Sequence, residues 1–294
     1  MPPEDPWTIG RLLNWTTEYF AKRNADSPRL DAEVLLAAVR GCKRIELYTA
    51  FEEPASEELR TKFREIVKRR SQGTPVAYLV GRREFYSLEF EVSPDVLIPR
   101  PETELLVVAL GDHLKKAGRE QAELLIADVG TGSGILAVCA ARRCKAARVL
   151  AFDFSPAALT IAQRNAERHQ VAERIEFFES DLLAAAPADA KFDVILSNPP
   201  YLTTEELAVA DPDVRDYEPK LALDGGPEGT SVIERLLPQA ADKLAPQGLL
   251  LMEVSPMIAT RVEALVAGTA GLELLPTLKD LAHLPRVIQA RATK

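Results

Sequence analysis

The sequence predicts an α/β protein: a seven-stranded, mostly parallel sheet alternating with helices, preceded by an all-helical domain and a β-hairpin. Three observations carry this. From residue 124 onward, short apolar runs alternate with helix-length segments, the pattern of parallel βαβ units. Before residue 75 the apolar residues recur at helical spacing only. The first four apolar runs end in glycine or polar residues, at the strand ends where open sheets bind ligands. The expected division is a helical domain over 1–74, a hairpin linker over 75–96 and a catalytic domain over 97–294.

Length and composition fit this architecture. The 294 residues suffice for one large or two modest domains, with 47% hydrophobic and 27% charged residues. The net charge of −8 argues against broad affinity for nucleic acid. Residues 1–86 carry 15 basic against 13 acidic side chains, and the remainder 21 against 31, so the acidity lies in the rear. Cys42, Cys139 and Cys144 have neither zinc-knuckle nor redox-pair spacing, which points to a reducing compartment and no metal. With no signal-like start and no apolar run of spanning length, the expected location is the cytoplasm, away from membranes.

In chain order, residues 1–6 are proline-rich and expected to fray. A helix follows from Thr8 to about Arg23. Ser27-Pro28 opens a second, which Gly41 closes. A short third spans Arg44 to Phe51. Ser56 caps a fourth, with Glu57 and Glu58 in its first turn and Lys68, Arg69 and Arg70 in its last, as the helix dipole favours. Val76–Val80 reads as a strand, Gly81-Arg82-Arg83 as a turn, and Glu84–Val92, with period-two alternation, as its partner strand. Pro101 opens the next helix. Strands are expected at 124–127, 148–152, 175–178, 194–197, 249–253, 272–275 and 286–290. A long loop covers roughly 202–228, a helix 230–244, and another begins near Pro256.

The chemistry gathers at the strand ends. Gly130-Thr131-Gly132-Ser133-Gly134 joins a strand to a helix, so a ligand can approach the backbone and the helix N-terminus. Such a loop serves dinucleotides and adenosyl cofactors alike. Asp153 ends the next strand, where an acid accepts from ribose hydroxyls. Asp181 ends the third and suits an adenine amino group. The fourth ends in Asn198-Pro199-Pro200-Tyr201, whose prolines forbid further ladder and hold an amide beside an aromatic ring. His113, His169 and His283 show no catalytic spacing.

This arrangement resembles the class I, Rossmann-like methyltransferases that use S-adenosylmethionine. The Asn-Pro-Pro-Tyr form is shared by enzymes that methylate a conjugated nitrogen. Such a nitrogen is a poor nucleophile because its lone pair is delocalised. The Asn198 side-chain carbonyl and the Pro199 backbone carbonyl would hold its N–H groups, and Tyr201 would stack on its plane. Positioning of this kind contributes roughly 7–11 kcal/mol in favourable cases.

The resemblance extends along nearly the whole chain. Leu30-Asp31-Ala32-Glu33-Val34-Leu35-Leu36, residues 75–81, Glu84-Phe85-Tyr86, residues 98–104, residues 128–134, residues 197–201, Glu218-Pro219, Leu221-Ala222-Leu223 and Gly225-Gly226 resemble the protein-(glutamine-N5) methyltransferases of class-1 peptide chain release factors. The resemblance implies methyl transfer from S-adenosyl-L-methionine, giving S-adenosyl-L-homocysteine, to the glutamine of the factor's Gly-Gly-Gln tip. It assigns Gly130, Thr131, Gly132, Ser133, Gly134, Asp153, Asp181, Leu182 and Asn198 to the methyl donor. Asn198, Pro199, Pro200 and Tyr201, with Arg100 and Glu102, go to the glutamine, and Asn198, Pro199 and Tyr201 to catalysis. Residues 98–104 would lid the donor, and the helical domain would dock the factor. A monomer is expected, without direct nucleic-acid contact. Two departures stand out: Val254-Ser255-Pro256-Met257 follows Glu253 where the family has a glycine and then a glutamine, and position 182 is Leu where some relatives carry an aromatic. The alternatives are a glutamine methyltransferase of a large-subunit ribosomal protein, an N6-adenine or N4-cytosine nucleic-acid methyltransferase, and a non-catalytic adenosyl-binding scaffold.

Overall fold

A computed structural model describes residues 6–23 and 25–293. The expected fraying of residues 1–6 falls, apart from Pro6, outside the described residues. The chain divides into two compact units: Met1–Arg82 with Pro212–Tyr217, and Arg83–Asp211 with Glu218–Lys294.

The first unit is helical: α1 (Ile9–Ala21), α2 (Pro28–Arg40), α3 (Arg44–Thr49), α4 (Glu57–Ser71) and α5 (Val76–Val80). The Thr8 and Ser56 side chains accept from Arg11 N and Leu59 N, capping α1 and α4. Gly41 ends α2 in the left-handed conformation, at φ 71°. Ile9, Leu13, Phe20, Leu35, Leu36, Leu47 and Phe63 form the core. Buried Glu33 accepts from Arg29 and Arg44 at 2.7 Å and from the Tyr48 hydroxyl, so the carboxylate is compensated.

The expected strand at Val76–Val80 is instead helix α5. Five apolar residues are too few for periodicity to separate strand from helix. Pro75 before the run and left-handed Gly81 after it are the signals that decide. The hairpin is correspondingly shifted. Its strands are β1 (Arg82–Phe85) and β2 (Leu88–Glu91), joined by Tyr86 and Ser87 at φ 49° and 59°. Two positive-φ residues make the tight turn whose twist matches its strands. The usual Asn-Gly signal is missing, and the Glu104 carboxylate accepts from Tyr86 N at 2.9 Å.

The second unit continues with a 3-10 turn (Pro101–Thr103), α6 (Glu104–Lys116), β3 (Leu125–Val129), α7 (Ile135–Arg143), β4 (Arg148–Asp153), α8 (Pro156–Arg168), β5 (Ile175–Glu179), β6 (Phe192–Ser197) and α9 (Thr204–Val209). After α10 (Pro212–Arg215), part of the first unit, come α11 (Ser231–Lys243), β7 (Leu244–Glu253), α12 (Ala259–Gly268), β8 (Leu272–Lys279) and β9 (Pro285–Ala292). The sheet order is β5-β4-β3-β6-β7-β9-β8, parallel except for the last two pairings. Side chains alternate between two cores. Ile126, Val194, Leu196, Leu249 and Leu251 face one side with α6 and α7, while Ala127, Ile195, Leu250 and Met252 face the other with α11 and α12. Burial on both faces explains the unbroken apolar runs.

Three further boundaries differ from expectation. The segment 202–228 is not a plain loop but holds α9, with a Thr203–Glu206 capping box, α10 and a 3-10 turn. Strand β7 starts at Leu244 rather than 249, across an irregularity that includes Gln247 at φ 62°. The last two strands run longer than expected, as an antiparallel pair.

Candidate active site

Strands β3, β4, β5 and β6 are parallel neighbours, so Gly130, Asp153, Asp181 and Asn198 emerge on one edge. They line a cavity of about 350 Å³. Its wall also includes Arg100, Thr131, Gly132, Ser133, Leu182 and Pro200, with Ile135, Leu136, Phe154 and Val232 as apolar surface. Gly134, Glu102, Pro199 and Tyr201 are not on that wall.

The loop is held from below by two acids. Asp128, fully buried in β3, accepts from Thr131 Oγ1 at 2.6 Å and Ala137 N at 2.9 Å. Asp153 accepts from Gly132 N at 2.8 Å and Ser155 N at 2.9 Å. Gly132, at φ 55°, thus turns its amide to Asp153 with open space where a Cβ would be. Gly134 has a packing task. A Cβ there would stand 3.0 Å from Ala162 Cβ and 3.1 Å from its Cα, so this glycine lets the loop pack on α8. Asn165 on α8 donates to Ser133 O and Glu91 O and accepts from Glu91 N, fixing the loop to β2. Asp181 is exposed and pairs with Arg235, and Leu182 sits at φ 56°.

At the end of β6, Asn198 Nδ2 donates to Thr103 Oγ1 at 3.2 Å. With its nitrogen engaged there, the side-chain carbonyl is the end left to accept from a substrate. Pro199 is buried, and the Tyr201 hydroxyl donates to Glu253 Oε1 at 3.3 Å. Arg100 donates to Glu218 at 2.5 Å, and Ile98 N donates to the same carboxylate at 3.0 Å. That acid ties residues 98–100 to the segment around Pro219 across the cavity rim. Glu102 is exposed.

Sequence reasoning did not single out Asp128, Thr103, Glu218 or Glu253 as working groups. Two of them carried a signal in their residue type. Asp128 interrupts the apolar strand β3 and Glu253 closes the apolar run Leu249 to Met252, and a buried acid there requires partners. Burial pushes Asp128 up from 3.8 to about 7, against the bonds from Thr131 and Ala137. Burial likewise pushes Glu253 up from 4.5 to about 7, against Thr103 and Tyr201. Both groups hold their protons more tightly in the folded chain than unfolded. Their stabilising contribution is therefore complete below their unfolded values and is lost as pH rises through about 7. The urea midpoint should be lower at about pH 8 than at about pH 5.5, with the gap narrowed in Glu253→Gln. A midpoint that rises across this range would contradict the burial argument.

A glycine loop, an acid ending the adjacent strand and Asn-Pro-Pro-Tyr beside them, on a sheet with this order and a reversed last strand, define a class I methyltransferase. Residues 11–81 match the PrmC N-terminal domain, and residues 102–214 match the methyltransferase small domain. A release factor glutamine methyltransferase of Rhodopirellula baltica is 45% identical over 97% of this chain and 96% of its own. One from Geobacter sulfurreducens is 38% identical over 97% of each. The chain belongs to the release factor glutamine methyltransferase family. Among solved structures, the Thermus thermophilus 16S rRNA N2 G1207 methyltransferase, in complex with AdoMet and guanosine, shares the fold. Its TM-score is 0.52 at 21% identity, covering 72% of this chain and 49% of that one. Among the described residues, no helix is long and apolar enough to cross a membrane.

Proposed function

We propose that this protein methylates the side-chain amide nitrogen of the glutamine in the Gly-Gly-Gln tip of a class-1 release factor, with S-adenosyl-L-methionine as donor. The observation that carries the reading is the Asn198 carboxamide. Its nitrogen is engaged by Thr103, so its oxygen is left as the acceptor beside the donor cavity.

The residues present fit the donor. The cavity has a size ordinary for a small-molecule site. Asp153, anchored by two backbone amides, keeps lone pairs for ribose hydroxyls. Phe154, Leu182 and Ile135 supply apolar surface for a purine, and Asp181 an acceptor at its edge. When bound, the donor supplies an electrophilic methyl on a sulfonium.

The protein's part is to make a weak nucleophile competent. The Asn198 carbonyl and the Pro199 backbone carbonyl accept the two N–H groups of the target amide. That directs the nitrogen lone pair away from the amide plane and along the line of attack. Pro199 and Pro200 keep both acceptors rigid, because their φ angles are fixed. Tyr201, restrained through its hydroxyl by Glu253, offers its ring to the plane of the target. Carbonyls that accept both N–H groups also favour the positive charge that develops on nitrogen as the methyl arrives.

The expected experiment is transfer of labelled methyl to purified release factor, compared with large-subunit ribosomal protein and with DNA and RNA oligonucleotides. Label on the factor alone supports the reading, and label on another substrate in preference to it contradicts the reading. The helical unit is assigned to the body of the factor. It exposes Leu30 and Ile45, of which 43% and 69% remain accessible. Leu30→Asp and Ile45→Asp together should raise KM for the whole factor about tenfold with kcat unchanged. An unchanged KM removes this assignment.

A further inference from the structure

The register of the sheet brings a second acid to the catalytic asparagine. Ser197 pairs with Met252, so Asn198 and Glu253 follow the last paired residues of two adjacent parallel strands. Glu253 is 1% exposed at the end of an otherwise apolar stretch, Leu249 to Met252. Its Oε1 accepts from Tyr201, while Oε2 makes no hydrogen bond among the described residues. The fully buried Thr103 hydroxyl, which accepts from Asn198, also faces this carboxyl and favours its charged form. A buried carboxyl with one oxygen unmatched costs stability. An apolar residue would continue the strand without that cost.

We propose that Glu253 is a positioning residue which, through Thr103 and Tyr201, holds the Asn198 carboxamide with its oxygen toward the target amide. The inference rests on the reading of the Asn-Pro-Pro-Tyr turn given above. A carboxamide has two ends of similar shape, and only the oxygen end can accept from an amide N–H. Turned round, Asn198 would present donors to donors. Thr103 touches it at 3.2 Å and could either accept from its nitrogen or donate to its oxygen. A hydroxyl has one hydrogen, so the destination of that hydrogen decides. A carboxylate only accepts. Ionised Glu253 offers its unmatched Oε2 as an acceptor for the Thr103 hydrogen, and Thr103 is then left as an acceptor for Asn198 Nδ2. Tyr201 donates to the same carboxylate, so both sides of the target pocket are set by one group.

Protonation reverses the logic. A neutral Glu253 can donate to Thr103, which is then free to donate to Asn198 Oδ1. The charged and titratable groups facing Glu253 are Tyr201 from the turn, Glu102 from the 3-10 segment and Arg286 from β9. Glu102 disfavours its ionisation and Arg286 favours it, and burial, the largest influence, places its titration near neutrality. Productive orientation should accordingly be gained as pH rises through about 7.

The test compares wild type, Glu253→Gln, Thr103→Val and the double variant in steady-state methyl transfer across pH. Alongside, the side-chain 15N amide resonances of Asn198 are followed in the substrate-free protein. Glutamine mimics the protonated acid at every pH. Glu253→Gln is expected to lower kcat about 10- to 100-fold at about pH 8, with KM and donor affinity within about twofold. The inflection near pH 7 should disappear. Thr103→Val should act alike, and the double variant should be no worse than the poorer single one, as for residues in one chain of contacts. The Asn198 resonances should shift through about pH 7 in wild type and stay fixed in Glu253→Gln. Wild-type kcat and pH profile in Glu253→Gln would overturn the proposal. Multiplying effects in the double variant would do the same, and so would Asn198 resonances indifferent to pH. If wild type transfers no methyl to a release factor, the functional reading fails, while the resonances still decide the role of Glu253.

Discussion

Asn198→Ala is expected to lower kcat for methyl transfer about 100- to 1000-fold while donor affinity falls only severalfold. The asparagine is the side chain whose carbonyl meets the target nitrogen, and its own nitrogen is engaged by Thr103. Removing it leaves the Pro199 carbonyl as a single acceptor. The amide can then rotate about that one hydrogen bond, and its lone pair loses alignment with the methyl. The donor keeps the glycine loop, Asp153 and the apolar wall, so binding survives. Calorimetric donor titration beside steady-state kinetics separates the two. Near-normal turnover, or loss of turnover matched by loss of donor binding, would remove Asn198 from catalysis.

The second large effect is expected at Asp153. Asp153→Ala should weaken donor binding about 100-fold, with the folded structure retained. Two losses combine there. The ribose hydroxyls lose an anionic acceptor, and charge-assisted hydrogen bonds of this kind are the stronger ones. Gly132 N and Ser155 N lose the carboxylate that holds the loop in its binding shape. Asp153 is itself pushed up, chiefly by burial, while the bonds from Ser155, Gly132 and Phe154 oppose the rise. Donor binding in wild type should therefore weaken as pH falls into the carboxylate range and Asp153 protonates. Titration of donor affinity against pH checks this. Unchanged affinity in Asp153→Ala would contradict the assignment.

Much of the architecture was legible because the physics was local. The apolar runs of β3, β6 and β7 are buried on both faces, so composition alone marks them. Glycine, aspartate and asparagine at their ends mark the edge that binds. The misread pieces are those where tertiary context outweighs local pattern. Val76–Val80 is apolar in either conformation, and its flanking Pro75 and Gly81 decide it. The hairpin turn uses Tyr86-Ser87, whose positive φ no sequence rule favours, with Tyr86 N donating to Glu104, a residue beyond the hairpin. Gly134 shares the glycine pattern of Gly130 and Gly132, which line the cavity, and the approach of Ala162 to it is not visible in that pattern. Thr103 and Glu253 reach Asn198 and Tyr201 from separate parts of the chain, so no local spacing announces them.

Methyl transfer to the Gly-Gly-Gln glutamine is tested most directly by tandem mass spectrometry of purified class-1 release factor after incubation with this protein and S-adenosyl-L-methionine. A factor carrying alanine in place of the Gly-Gly-Gln glutamine serves as control. A single methyl on that glutamine side chain and none on the control is the expected result. A methyl elsewhere on the factor, an equal yield on the control, or no methyl from a preparation that binds the donor would contradict it.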